Sequence, residues 1–124
     1  MAIEVGIWRI DGNAAKSLPY TSIDTEKRLE ELITGDISIL SRDLMLIGRQ
    51  VKTAQGKFID LLAMDVDGKI TVIELKKHLT PREVVAQTLD YASWIETLGY
   101  EFFKTLYRQF SGRDLEAGFA DHFG

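Results

Sequence analysis

The chain has 124 residues, of which 45% are hydrophobic and 27% charged, and this suits one globular domain with one core. The composition excludes a disordered or collagen-like chain, and the lack of cysteine excludes a disulfide scaffold, a thiolate zinc site and a cysteine nucleophile. The formal net charge of −4 argues weakly against a nucleic-acid-binding protein. Because there is no long apolar run and no signal-peptide pattern at the start, we expect a cytoplasmic protein.

The net charge hides a segregation along the chain. Residues 42–82 carry eight basic and five acidic side chains, a balance of +3, whereas residues 1–41 and 83–124 have balances of −3 and −4. A basic segment in an acidic chain can form a local patch that attracts phosphate. The alternative is that these charges are solvated on several faces.

The first third of the chain is predicted to form a strand, a loop and a helix. Residues 3–10 alternate loosely in hydrophobicity and end at an Asp-Gly pair (11–12), which predicts a strand that closes into a turn. A loop is expected over residues 13–20. Thr21 and Ser22 then offer N-caps for a helix that ends near residue 33.

The middle of the chain is predicted to form strands, at residues 44–53, 58–64 and 70–76. The last two strands flank Asp67-Gly68, the strongest hairpin signal in the sequence.

The last third of the chain is predicted to be helical. Thr80 can cap a helix, Pro81 suits its first position and Glu83 completes a capping box. This helix should end near Leu98. Shorter helices are expected after it, at residues 100–110 and 113–123. The order of the elements indicates an α/β fold rather than a bundle or a barrel.

The register of the predicted hairpin decides which side chains meet. A two-residue turn would place Asp60 opposite Leu75, whereas a three-residue loop that ends in a left-handed Gly68 would place Asp60 opposite Glu74. In the second register one face carries Asp60, Leu62, Met64, Ile70, Val72, Glu74 and Lys76. The other face carries Ile59, Leu61, Ala63, Thr71, Ile73 and Leu75. Both faces are apolar at the centre, so both need cover from other elements.

Three ionisable groups would then cluster at one end of an apolar sheet face. Because burial disfavours the charged form, Asp60 and Glu74 need a partner there. One explanation is an ion pair between Lys76 and either carboxylate, with no further role. The other is a magnesium site, since adjacent carboxylates suit a hard cation, with Lys76 orienting a water nucleophile.

Two of the predicted helices carry further candidates. Glu26 is spaced to face the sheet from the first helix, and Glu30 competes with it for that place. On the long helix, Gln87 and Tyr91 lie one turn apart and share a face. Their polar ends are compatible with a helix face that borders a functional site. They are equally compatible with the edge of the apolar face that packs in the core.

Taken in chain order, these residues resemble the PD-(D/E)xK phosphodiesterase superfamily. The resemblance rests on Glu26, on Asp60 in Phe-Ile-Asp-Leu-Leu, on Glu74-Leu75-Lys76 and on Gln87-x-x-x-Tyr91. The last motif is similar to that of RecB-like nucleases, and residues 49–94 resemble the C-terminal nuclease domain of NucS-type endonucleases. Ile59 stands where the superfamily name carries proline. The resemblance spans residues 22–98 of a single domain, 1–124, whose helical end (99–124) would be an extension, an interaction segment or the start of a missing part.

The resemblance implies a restriction-endonuclease-like mixed β-sheet with helices on both faces. It also implies a metal-dependent deoxyribonuclease of DNA repair, recombination or restriction, with Mg²⁺ or Mn²⁺ as its cofactor. The metal ligands would be Asp60, Glu74, the Leu75 carbonyl and Glu26. Lys76 would position the attacking water, and Gln87 and Tyr91 would contact metal-site waters or the DNA backbone.

Basic residues are expected to border this cluster and to contact DNA phosphates. They are Arg49, Lys52, Lys57, Lys77, His78 and Arg82. Two other functions stay open. One is a catalytically silent nuclease fold that binds DNA or protein within a larger protein. The other is a small α/β scaffold whose hairpin charges form an ion pair.

Aromatic side chains are frequent after Leu98, at Phe102, Phe103, Tyr107, Phe110, Phe119 and Phe123. If the first two helices already cover the sheet, these aromatic residues would be free to form a homodimer interface. Packing inside the monomer is the alternative.

Overall fold

The computed structural model describes residues 3–77 and 82–124. The strands are β1 (Trp8–Asp11), β2 (Ala14–Ser17), β3 (Leu44–Lys52), β4 (Phe58–Asp65) and β5 (Ile70–Ile73). The helices are α1 (Glu26–Gly35), α2 (Arg82–Ile95), α3 (Tyr100–Ser111) and α4 (Leu115–Phe123), and a 3-10 turn, Ile37–Ile39, follows α1. Within the described ranges, no helix has the length and apolar character that a membrane crossing requires.

The centre of the fold is a three-stranded sheet in the order β3-β4-β5. Both strand pairs are antiparallel, because each pair is joined by a short loop rather than by a crossover. The register of β3 on β4 shifts by one residue between Leu46 and Gly48, which marks a β-bulge. The α/β class is confirmed, and all strand pairs in the described part of the chain are antiparallel.

The loop between β4 and β5 has the three-residue form that was predicted. Asp65 N donates to Lys69 O at 2.9 Å and Gly68 N donates to Asp65 O at 3.0 Å. Gly68 is left-handed, with φ of 80°. Leu61 therefore pairs with Ile73 and Leu62 with Val72, which is the register that brings Asp60 beside Glu74.

Helices cover both faces of the sheet, as expected. On one face, β-strand residues such as Ile47 and Leu62 pack with Tyr91 of α2 and Phe103 of α3. On the other face, Leu61 and its neighbours pack against α1. One side chain departs from the prediction. Ile59 belongs to the cluster of Leu62, not to that of Leu61, because it pairs with Val51, and Val51 faces the same cluster.

The N-terminal segment differs from the prediction. β1 begins at Trp8, and residues 14–17, predicted as loop, form β2. A tight turn with Gly12 at φ of 60° pairs Asp11 with Ala14 and so allows the second strand. Every residue of both strands is exposed, and we call β1 and β2 together the N-terminal hairpin.

The helices begin and end close to their predicted positions. α1 starts three or four residues later than expected, because its N-cap is Thr25 and not Thr21 or Ser22, and Thr25 accepts a hydrogen bond from Arg28 N at 3.0 Å. The predicted start of the long helix, Thr80 and Pro81, lies outside the described residues. Aromatic residues of α3 and α4 pack on the sheet: Phe103 and Tyr107 are buried, and Phe102, Phe119 and Phe123 are partly buried beside them. A homodimer through this segment stays a prediction.

Candidate functional site

The two predicted carboxylates meet where β4 and β5 stop pairing. Asp60 N donates to Glu74 Oε1 at 3.1 Å, and Leu75 N donates to Asp60 Oδ2 at 2.9 Å. These side-chain bonds replace the ladder beyond the Leu61–Ile73 pair, which explains why β5 ends at Ile73 and not at residue 76. Both carboxylates are therefore held by backbone donors of the opposite strand.

The electrostatics of this pair favour a cation. Burial raises the pKa of Glu74, the hydrogen bond from Asp60 N lowers it, and the nearby Asp60 charge raises it again. The same two carboxylates, together with burial as the larger cause, raise the pKa of Tyr91. Two negative groups thus share a half-buried position and repel each other. A bound divalent cation would remove that repulsion.

Lys76 lies past the end of β5 and is exposed. Its charge lowers the pKa of Glu74. It lines a small cavity with Glu26 and Leu29 at the start of α1. Among the ion pairs of the described residues, none joins Lys76 to Asp60 or Glu74 within 4.0 Å. A simple ion pair therefore does not explain the cluster.

A third carboxylate, Glu30 of α1, is linked to Asp60 through the side chain of Gln50. This side chain is buried, with a residue exposure of 7%. Its Oε1 accepts from Arg49 Nε at 2.6 Å, and its Oε2 accepts from Gln50 Nε2 at 2.9 Å. Gln50 Nε2 also donates to Asp60 Oδ1 at 3.3 Å. Glu30, Gln50 and Asp60 thus form a continuous polar chain from α1 to β4.

Glu26, the helix residue that was predicted as a metal ligand, is the first residue of α1. It is exposed and accepts a hydrogen bond from Lys77 N at 3.1 Å, which joins the start of α1 to the chain after β5. In the described ranges, no three acidic or histidine side chains are grouped closely enough to hold a metal. A metal at this site would have two side-chain ligands, Asp60 and Glu74, and the remaining ligands would be backbone oxygen and water.

Gln87 and Tyr91 lie on the side of the sheet that α2 covers. Tyr91 is buried and its hydroxyl donates to Phe58 O at 3.3 Å, at the start of the strand that carries Asp60. Both residues line a cavity of about 380 Å³ that also includes Lys57. Tyr91 is therefore a core residue whose hydroxyl has a hydrogen-bond partner. Gln87 is half-buried and lines the same cavity.

The predicted phosphate-binding residues fall into two groups. Lys52, Lys57, Lys77 and Arg82 are exposed, and the Lys77 ammonium donates to Asp24 O at 2.9 Å, whereas the Arg49 guanidinium is paired with Glu30. Arg49 therefore holds α1 to β3 rather than presenting a free charge. Lys52 lines a groove of about 660 Å³ between β3 and α3. His78 lies outside the described residues.

Sequence reasoning missed Gln50 and ranked Glu30 second. Glu30 lies on the face of α1 that carries Ile33, so its helical spacing could have identified it. Gln50 had no such signal, because its role depends on contacts with α1 and β4 that are distant in sequence.

The family model of the endonuclease NucS C-terminal domain matches residues 25–99. No curated protein and no solved structure matches the chain significantly. The matched segment begins at the N-cap of α1 and passes the end of α2, so it contains the whole polar cluster, whereas α3 and α4 follow it.

Proposed function

Since the chain belongs to the family of the endonuclease NucS C-terminal domain, we propose that it is a divalent-metal-dependent nuclease domain that hydrolyses phosphodiester bonds of DNA. One observation carries the proposal. Asp60 and Glu74 lie together at the open end of the β4–β5 hairpin, and each is held by a backbone N–H of the other's strand. This is the arrangement expected of an active site of the PD-(D/E)xK type.

The residues present fit a magnesium ion. Mg²⁺ is commonly held by one or two carboxylates and completes its shell with water and substrate phosphate. Asp60 and Glu74 would be those carboxylates, and the Leu75 carbonyl would be a further oxygen ligand. When bound, the ion supplies an activated water and neutralises charge on the phosphate.

The other side chains would act around that site. Lys76, close to Glu74 and exposed, would orient the attacking water and stabilise charge that develops on the phosphate. Lys52 and Lys57 would bind DNA phosphates on one side and Lys77 and Arg82 on the other. Gln87, at the rim of the α2 cavity, would contact the DNA backbone. Glu26 is better suited to fastening Lys77 than to binding metal.

The direct experiment measures cleavage of circular single-stranded and linear duplex DNA, with Mg²⁺ and with EDTA. We expect cleavage by the wild type in Mg²⁺ alone, and loss of cleavage in Asp60→Asn and Lys76→Ala. Asp65→Asn is the matched control on the same strand. Among the described residues, Asp65 Oδ1 accepts only from Asp67 N and Lys69 N of its own hairpin, and asparagine keeps that acceptor.

The control separates chemistry from folding. If Asp65→Asn cleaves as the wild type does while Asp60→Asn does not, the loss is specific to the site. DNA binding without cleavage in any metal would instead support a silent nuclease fold. Equal cleavage by Asp60→Asn and the wild type would refute the proposal.

A further inference from the structure

The side-chain amide of Gln50 links the Glu30 carboxylate of α1 to the Asp60 carboxylate of β4. Its Nε2 has two hydrogens, and the structure directs them to two carboxylates, Glu30 Oε2 at 2.9 Å and Asp60 Oδ1 at 3.3 Å. Glu30 is buried and fixed in turn by Arg49 at 2.6 Å. The amide is thus anchored on the α1 side by a charge-assisted network and ends on a predicted metal ligand.

The backbone at Gln50 is unusual. Gln50 has φ of 49°, and it is the only residue other than glycine with positive φ in the described part of the chain. A left-handed glutamine is uncommon in a strand. Successive strand side chains normally point to opposite faces, yet Arg49 and Gln50 both reach Glu30. The left-handed conformation makes this possible, because it interrupts the alternation of β3 at that residue.

Such conformations persist where the surrounding contacts hold them, and they cluster at functional sites. The left-handed conformation occurs at the residue whose amide contacts both Glu30 and Asp60. The Arg49–Glu30 pair is formed by the neighbouring residue, which has no such distortion. In the described part of the chain, the distortion therefore coincides with the residue that joins α1 to a predicted metal ligand.

We propose that Gln50 is a positioning residue, which orients the Asp60 carboxylate for the metal and is itself set by the Arg49–Glu30 pair. The inference rests on the proposed function. Leu75 N occupies one direction at Asp60 Oδ2, and the Gln50 amide occupies one at Oδ1. Because each carboxylate oxygen accepts in two directions, both oxygens keep a free direction, and the plane of the group is fixed.

A positioning role for Gln50 predicts how strongly the loss of its amide should weaken the response to Mg²⁺. Outer-shell partners of metal ligands typically contribute 10–100-fold to metal affinity or activity. Removal of the Gln50 amide should therefore raise the Mg²⁺ concentration at half-maximal cleavage by about 10–100-fold. The KM for DNA should change far less, because Gln50 acts through Asp60 and not on the substrate.

Two substitutions separate the amide from the backbone. Gln50→Met removes the amide at nearly the same size and keeps the backbone requirement. Gln50→Gly also removes the amide but accepts positive φ without strain. Gln109→Met is the matched control, since Gln109 of α3 lines the same groove as Gln50 and, among the described residues, forms no hydrogen bond with Asp60 or Glu74. The measurements are Mg²⁺ dependence of cleavage, the rise in melting temperature caused by Mg²⁺, and the melting temperature without metal.

We expect both Gln50 variants to need about 10–100-fold more Mg²⁺ for half-maximal cleavage, to the same extent, although Gln50→Gly should melt above Gln50→Met without metal. Gln109→Met should match the wild type. A wild-type Mg²⁺ response in both Gln50 variants would overturn the role of Gln50 and leave the proposed function standing. If only the variant with the lower melting temperature lost its response to Mg²⁺, Gln50 would act through protein stability. That result would also overturn its positioning role. If the wild type itself neither cleaves DNA nor gains stability with Mg²⁺, the proposed function fails, and the inference fails with it.

Discussion

The chain contains two antiparallel hairpins that both carry an Asp-Gly pair, and they differ in almost everything else. The N-terminal hairpin turns at Gly12, and all residues of its strands are exposed, including Ile10 at 75%. The β4–β5 hairpin turns at Gly68 and lies between helices on both faces, and Leu62 is 0% exposed. Turn chemistry is thus enough to form a hairpin, while its burial depends on what covers it.

The difference also decides where chemistry can occur. In the N-terminal hairpin, Arg9 and Asp11 form an exposed pair at 3.1 Å, and water screens such charges strongly. In the β4–β5 hairpin, Asp60 and Glu74 are half-buried, and burial is the largest cause of the raised pKa of Glu74. Only the second environment makes a carboxylate pair costly, and a bound cation would lower that cost.

The largest expected contrast between the hairpins is in side-chain burial. Leu62, on β4, is 0% exposed and packs in the core, whereas Ile10 is 75% exposed. Leu62→Ala should lower the free energy of unfolding by about 2–5 kcal/mol. Ile10→Ala should change it by less than about 0.5 kcal/mol. Chemical denaturation of both variants measures this. Similar losses in the two would mean that the N-terminal hairpin belongs to the core.

A smaller contrast is expected at the turns. Gly68 and Gly12 both have positive φ, and a Cβ at either position would meet no atom within 4 Å, so backbone strain alone is tested. Gly68→Ala should cost about 1–2 kcal/mol of global stability. Gly12→Ala should leave global stability nearly unchanged, because a lone two-stranded hairpin is only marginally stable and opens independently. Melting curves compare them, and a matching drop for Gly12→Ala would contradict local opening.

The sequence predicted the β4–β5 hairpin well because its determinants are local. Gly68 sets the loop, the loop sets the register, and the register brings Asp60 to Glu74. The N-terminal hairpin was only half predicted, since β2 has the sequence Ala-Ala-Lys-Ser, with little strand propensity and no apolar alternation.

The other contacts of the site could not be predicted from local sequence patterns. Gln50 belongs to it through a left-handed backbone and through contacts with Glu30 and Asp60, 20 and 10 residues away. No local pattern specifies such a conformation in a glutamine. Likewise, Arg49 was predicted to bind phosphate from its charge alone, and only the packing of α1 on β3 gives it Glu30 as its partner.

Anomalous diffraction from a crystal soaked with Mn²⁺ would show whether Asp60 and Glu74 share one divalent cation. We predict an anomalous peak in contact with a carboxylate oxygen of each residue. The same soak of Asp60→Asn should lack that peak, and Asp65→Asn should keep it. Manganese peaks found only elsewhere on the wild-type protein, or a peak retained unchanged in Asp60→Asn, would contradict a cation shared by Asp60 and Glu74.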